Sequence, residues 1–204
     1  MSVRKTVIAV TAVLACAGCS AVKPTAVTQP PIPTIVAPTT ITRVPQMVDR
    51  PVPDDCELVV PVEALHQRLG RELPGELKTI IGIPEPSLAR TAKIDCYYGV
   101  PKGQDLGAAP VVIGLANYGD EASAAARVDE SVAAERQDGA TVSEVDVGKK
   151  KGKLVSAKDE RLVMGHLGKT TYVARAKVGV LPDDLVGIFL SSIAEQSMIP
   201  VEGT

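Results

Sequence analysis

The sequence predicts an α+β domain: a mostly antiparallel sheet with helices packed on one face, in a two-layer sandwich. Three observations carry this. Runs with strand character cluster along the chain, two before a long Ala/Glu/Arg-rich stretch and three or four after it. Helical periodicity is confined to blocks outside those clusters, so strands pair with sequence neighbours rather than through βαβ crossovers. The first 53 residues hold an apolar run and then half of the 16 prolines, a composition that does not fold into such a core.

The N-terminus reads as a targeting segment. Arg4 and Lys5 precede an apolar run over residues 6–15, the length of a signal-peptide h-region and too short for a bilayer, which takes roughly 20 residues. Small residues then lead into a cysteine: Ala17-Gly18-Cys19 resembles a lipobox, which makes Cys19 the expected lipidation site after a signal peptide of residues 1–18. Cys16 stands where Leu or Val is usual, and cleavage before Cys16 itself, or an ordinary secretory signal, are the alternatives. An acylated Cys19 implies lipid anchoring at the extracytoplasmic face of the cell membrane.

Residues 19–53 read as a tether. Pro24, Pro30, Pro31, Pro33, Pro38, Pro45, Pro51 and Pro53 alternate with Thr and Val, and proline both fixes φ and removes a backbone donor. Extended at ~3.1 Å per residue, such a stretch reaches about 100 Å, enough to clear a lipid surface.

The folded domain is expected over residues 54–199, with residues 200–204 as a tail. Leu58, Val62, Leu65 and Leu69 recur at helical spacing and Gly70 ends them, giving a first helix over residues 58–69 with Pro61 in its first turn. Residues 73–86, broken by Pro74, Gly75, Gly82, Pro84 and Pro86, read as a loop that borders a pocket or moves. Strands follow over residues 92–100 and 110–118. Asp120 caps an amphipathic helix to residue 137 with Ala122, Ala125, Val128, Val132 and Ala133 inward. Further strands occupy residues 143–147, 154–158, 161–167 and 170–178. A last helix over residues 182–197 buries Leu185, Ile188, Phe189, Ser192 and Ile193. With no Trp, one Phe and four Tyr, the core falls to Val, Leu, Ile and Ala.

Removal of Cys16 and acylation of Cys19 leave two thiols, Cys56 and Cys96, 40 residues apart. In an oxidising compartment an even pair reads as a structural disulfide.

Charge and motifs exclude more than they assign. The formal charge is −2, and without Arg4 and Lys5 the remaining 20 basic and 24 acidic residues give −4, so nothing points to nucleic acid. The two histidines, His66 and His166, have no ligand partners at metal spacing. Gly165 to Thr170 looks like the end of a phosphate loop, but Val163 stands where its first glycine belongs. No nucleophile elbow, zinc helix or dinucleotide fingerprint occurs, so neither catalytic residues nor a cofactor are expected. One charge cluster stands out: Lys149, Lys150, Lys151 and Lys153 form a hairpin tip, a candidate contact for anionic lipid or cell-wall polymer.

Cys56-Glu57-Leu58 opening a helix, Ala64-Leu65 and Leu69-Gly70 within and after it, Cys96-Tyr97, and a strand entering an Ala-rich helix over residues 112–126 together resemble a family of actinobacterial, largely mycobacterial, lipoproteins of unknown function. A second likeness is to the extracellular sensor domain of mycobacterial receptor kinases, which tends to carry two cysteine pairs where this chain has one. The resemblance covers residues 54–199 and implies an envelope-anchored binding or accessory module that is not an enzyme. Its expected partners are the membrane, through the lipid anchor, and a protein or cell-wall component. The alternative is a carrier of a lipid or other apolar envelope molecule, with residues 73–86 lining a cavity.

Overall fold

The structure, a computed structural model, describes residues 45–201. The expected signal peptide, Cys19 and most of the tether lie outside the described residues.

Among the described residues three α-helices and seven strands follow in the order α1 (Val62–Leu69), β1 (Glu76–Gly82), β2 (Arg90–Val100), β3 (Val111–Tyr118), α2 (Glu121–Gln137), β4 (Thr141–Val147), β5 (Lys150–Ser156), β6 (Glu160–Leu167), β7 (Thr170–Lys177) and α3 (Asp183–Ser197). The strands make one sheet, ordered β1-β2-β3-β7-β6-β5-β4, with every neighbouring pair antiparallel. Two meanders therefore meet at β3 and β7. Between them α2 carries the chain from the middle of the sheet to its far edge, so it must cross a sheet face.

The α+β class and the antiparallel sheet packed against helices are as expected, but the helices are divided between the two faces. α1 and α3 pack Leu65, Leu69, Phe189, Leu190 and Ile193 with Ile94, Ile113, Val163 and Tyr172. α2 packs Val128 and Val132 with Val155, Leu162 and Met164. Consecutive residues such as Val163 and Met164 point to opposite faces, so β6 is apolar on both. Continuous apolar strands of this kind are the mark of two-sided burial.

Local differences have local causes. The first helix is split: Cys56–Leu58 form one 3-10 turn, and α1 begins only after Pro61, which has no N–H to donate to a preceding turn. Gly70, at φ 73°, closes α1 in the left-handed region that glycine enters without a Cβ penalty. The expected loop over residues 73–86 contains β1, an edge strand paired only with β2. Its prolines and Gly75 bound the strand instead of breaking it, and a Cβ at Gly75 would lie 2.5 Å from the Gly99 carbonyl carbon. The buried stripe of α3 is turned by about one residue from the expected one. Val186, Leu190, Ile193 and Ala194 are buried with Phe189, whereas Leu185 and Ile188 are 48% and 69% exposed. In α2, Ala124 is buried and Ala122 and Ala133 are exposed.

β5 starts at Lys150, so the lysine cluster spans the β4–β5 turn and the first residues of the strand. Gly148 and Lys149 make the turn, and two of the strand lysines face acids across the hairpin: Lys151 Nζ lies 2.5 Å from Asp146 and Lys153 Nζ 3.0 Å from Glu144.

The aliphatic core is built around tyrosines after all. Tyr98 and Tyr172 are the largest fully buried side chains. Tyr98 Oη donates to Val60 O at 2.7 Å, while Tyr172 Oη is buried with no partner among the described residues. Gly165, directly opposite Tyr172, leaves room for its ring: a Cβ there would overlap the phenol. Burial pushes the Tyr172 hydroxyl up to about 12 and raises Tyr98 further. The two hydroxyls are expected to respond oppositely to removal. Tyr98→Phe leaves Val60 O without its donor and costs about 1–2 kcal/mol, whereas Tyr172→Phe removes an unpaired buried group and is neutral or stabilising. Urea midpoints of the two variants compare these directly. Equal losses would contradict the assignment.

Residues 47–53, expected as the end of the tether, are docked on the domain. Val48 N–H donates to Met198 O at 3.0 Å. Arg50 is buried, its Nη1 donating to Leu58 O, Ser197 O and Ile199 O at 3.1–3.4 Å. Asn117, at the end of β3, accepts from Val52 N–H at 2.7 Å and donates to Arg50 O at 3.1 Å and Thr170 Oγ1 at 2.6 Å. Thr170 Oγ1 lies 2.7 Å from Asp49 Oδ1. The folded unit thus begins before residue 54, with a strap that ties the end of the sheet to the end of α3.

Candidate functional site

Because α2 crosses the sheet diagonally, it covers only part of its face. Its first turn meets β3, with Ala124 against Ala116 and Tyr118, and its later turns meet β5 and β6 through Val128 and Val132. The rest of that face, on β2 and on parts of β3 and β7, is only partly covered beside the helix. There the structure has a cleft of about 360 Å³.

Sheet register builds the floor in three rows. Lys93, Ala116 and Thr171 lie side by side across β2, β3 and β7. The next row is Asp95, Gly114, Val173 and Met164, and the third is Tyr97, Val112, Arg175 and Leu162. Helix α2 supplies the wall with Arg127, Ser131, Ala134 and Glu135. The floor is therefore apolar in the middle and charged at its margins.

Gly114 is the low point. A Cβ there would sit 2.8 Å from Asp95 Oδ1, so glycine lets the carboxylate lean across the floor. Asp95 is held by Lys93 Nζ at 2.7 Å, with side chains 18% and 36% exposed. At the same end Arg90 Nη2 pairs with Glu85 Oε2 at 2.7 Å, and its Nε is buried with no partner among the described residues. Tyr97, in the row of Arg175, has its hydroxyl raised by burial first and by the Asp95 charge second, with Arg175 opposing both.

Among the described residues, none of the sites expected from the sequence is part of the cleft. Cys56 and Cys96 are bonded to each other and fully buried on the opposite face of the sheet, with Cα atoms 5.6 Å apart. β1, from the segment expected to line a cavity, contributes nothing to it. Lys149, Lys150, Lys151 and Lys153 lie on the β4–β5 hairpin, away from its walls. His66 is on α1, on the far side of the sheet, and His166 Nδ1 is 3.4 Å from Gly168 O beside the β6–β7 turn. Among the described residues no group of three or more His, Cys, Asp or Glu is placed to hold a metal ion, and no helix is long and apolar enough to cross a membrane.

What sequence reasoning missed are Arg90, Lys93, Asp95, Gly114, Arg127 and Arg175. A signal was present: Lys93, Asp95 and Arg175 are charges at alternate positions in strands whose intervening residues, Ile94, Cys96, Ala174 and Ala176, are all buried. Such strands have one wet face beside a two-sided core.

No family model and no curated protein matches this chain. Among solved structures, the chain is similar to the extracellular domain of PknH from Mycobacterium tuberculosis, with 12% identity over 72% of this chain and 97% of that one, at a TM-score of 0.44.

Proposed function

We propose that this chain is a lipid-anchored, extracytoplasmic binding module without enzymatic activity, whose ligand lies in the cleft between α2 and strands β2, β3 and β7. The cleft itself carries this reading: 360 Å³ falls within the roughly 300–1,000 Å³ of small-molecule sites, and an apolar floor with a few placed polar groups is what such sites are made of. Neither His nor Cys lines it, and its one serine hydroxyl, Ser131, donates to Arg127 O at 2.8 Å, so no nucleophile–base pair supports catalysis there. The anchor rests on the lipobox-like Ala17-Gly18-Cys19 and the preceding apolar run. The lysine hairpin is the weaker contact surface, because Asp146 and Glu144 neutralise two of its four charges.

Ala134 is exposed and faces the cleft, so Ala134→Trp fills it without disturbing the core. In native mass spectra of the full chain purified from its own membrane, the wild type is expected to carry a non-covalent mass beyond any acyl chains, and Ala134→Trp to lose it. A bound mass indifferent to the substitution, or a bare wild-type protein, contradicts the cleft as the site.

A further inference from the structure

The charges around the cleft are unequally engaged, and the inequality selects a ligand; this rests on the reading of the cleft as the binding site. Four cations line it, Arg90, Lys93, Arg127 and Arg175, against three acids, Asp95, Glu130 and Glu135. Arg90 and Lys93 are spoken for by close contacts of 2.7 Å to Glu85 and Asp95. The other two are not. Arg127 Nη1 reaches Glu130 only at 3.5 Å and Arg175 Nε reaches Glu160 only at 3.4 Å, and their side chains are 43% and 45% exposed. A guanidinium has five N–H donors in a planar fork suited to carboxylate or phosphate. A single long contact leaves most of that capacity turned to solvent. Beside these two arginines, one on the helix wall and one on the strand floor, the lining is apolar: Val112, Gly114 and Val173, with Leu162 and Met164 next to them on β6.

We propose that the cleft takes a single-chain amphipathic anion, with its apolar chain over Val112, Gly114 and Val173 and its carboxylate or phosphate head held by Arg127 and Arg175. One chain is favoured over two because the volume is at the small end of ligand sites. An oxyanion is favoured over a neutral or cationic head because only it uses the donors that Arg127 and Arg175 leave free.

Isothermal titration of the full chain with decanoate, decyl phosphate and decanol, below their micellar concentrations, tests this. Both anions are expected to bind, with decanol at least tenfold weaker. Arg127→Gln and Arg175→Gln are each expected to weaken the anions about tenfold, the scale of one charge-assisted hydrogen bond, and to leave decanol unchanged. Tighter binding of decyl phosphate points to a phospholipid-derived head and tighter binding of decanoate to a free acid, and either supports the proposal. Decanol binding as tightly as the anions overturns the choice of ligand while the cleft remains a site. No binding of any of the three overturns the ligand class and removes support from the cleft as well.

Discussion

Reduction of the Cys56–Cys96 bond is expected to remove about 4 kcal/mol of stability, a large share of what a domain of this size has to spare. The bond joins the 3-10 turn before α1 to the middle of β2 across 40 residues, and in the chain-entropy picture a loop of that length is worth about this much through the unfolded state. The same turn is also held by Tyr98 Oη, which donates to Val60 O, and by the burial of Val59 and Val60. Both sulfurs are fully buried, with Thr79 Oγ1 3.1 Å from Cys56 Sγ at the edge strand. Urea unfolding of the Cys56→Ala/Cys96→Ala double variant against the oxidised wild type is the measurement. A drop of 3 kcal/mol or more is expected by the same loop-closure estimate, roughly as large as the disulfide range allows, and coincident transitions would contradict it.

The second large loss is expected at the strap. In Arg50→Met three carbonyls, on Leu58, Ser197 and Ile199, lose their donor in a buried setting, and the side chain keeps its volume but not its bonds. Buried groups left unpaired cost ~1–3 kcal/mol each, offset where water can reach them, so a loss of about 3 kcal/mol is expected. Asn117→Ala acts on the same joint from the sheet side. Val52 N–H loses its acceptor among the described residues, while Arg50 O keeps the Thr170 hydroxyl at 2.8 Å, so about 2 kcal/mol is expected. Hydrogen exchange separates this joint from a general loss of stability. Val48 and Val52 amides are expected to exchange faster in both variants, while β3 and β7 stay protected at the wild-type rate once the difference in global stability is subtracted. Unchanged exchange at Val48 and Val52 would mean that the strap is held by something other than Arg50 and Asn117.

These effects bear on how much the sequence discloses. Strand clusters, the helix over residues 121–137, the last helix and the cysteine pair are all legible, because each depends on local periodicity or on counting thiols. The edge strand β1 was not. Its residues are nearly all exposed, so the alternation that identifies a strand is absent, and its flanking Pro74, Gly75 and Pro84 look like a broken loop. The strap was hidden for a similar reason: Pro45, Pro51 and Pro53 continue a proline-rich run, and a docked extended segment has the composition of a free one. Its one distinguishing residue is Arg50, whose burial depends on carbonyls 147 and 149 residues away.

Division of the helices between two faces was recoverable in part. β3 reads Val-Val-Ile-Gly-Leu-Ala and β6 reads Leu-Val-Met-Gly, runs without polar alternation that require cover on both sides. The face of α2 was obscured because alanines surround that helix, leaving only Val128 and Val132 to mark its inward side. The cleft follows from the register that brings Asp95 beside Gly114 and Arg175 beside Val112, the second of these a relation between strands far apart in sequence. No motif encodes it.

The cleft as the place of binding is tested most directly by amide chemical-shift mapping of the full chain during titration with decanoate. Shifts are expected to concentrate on Gly114, Ser131, Ala134 and Val173, with Leu65 on α1 and Leu190 on α3 unmoved. Shifts confined instead to the exposed Leu185 and Ile188 of α3, or to Lys149 and Lys150 on the hairpin, would contradict the account.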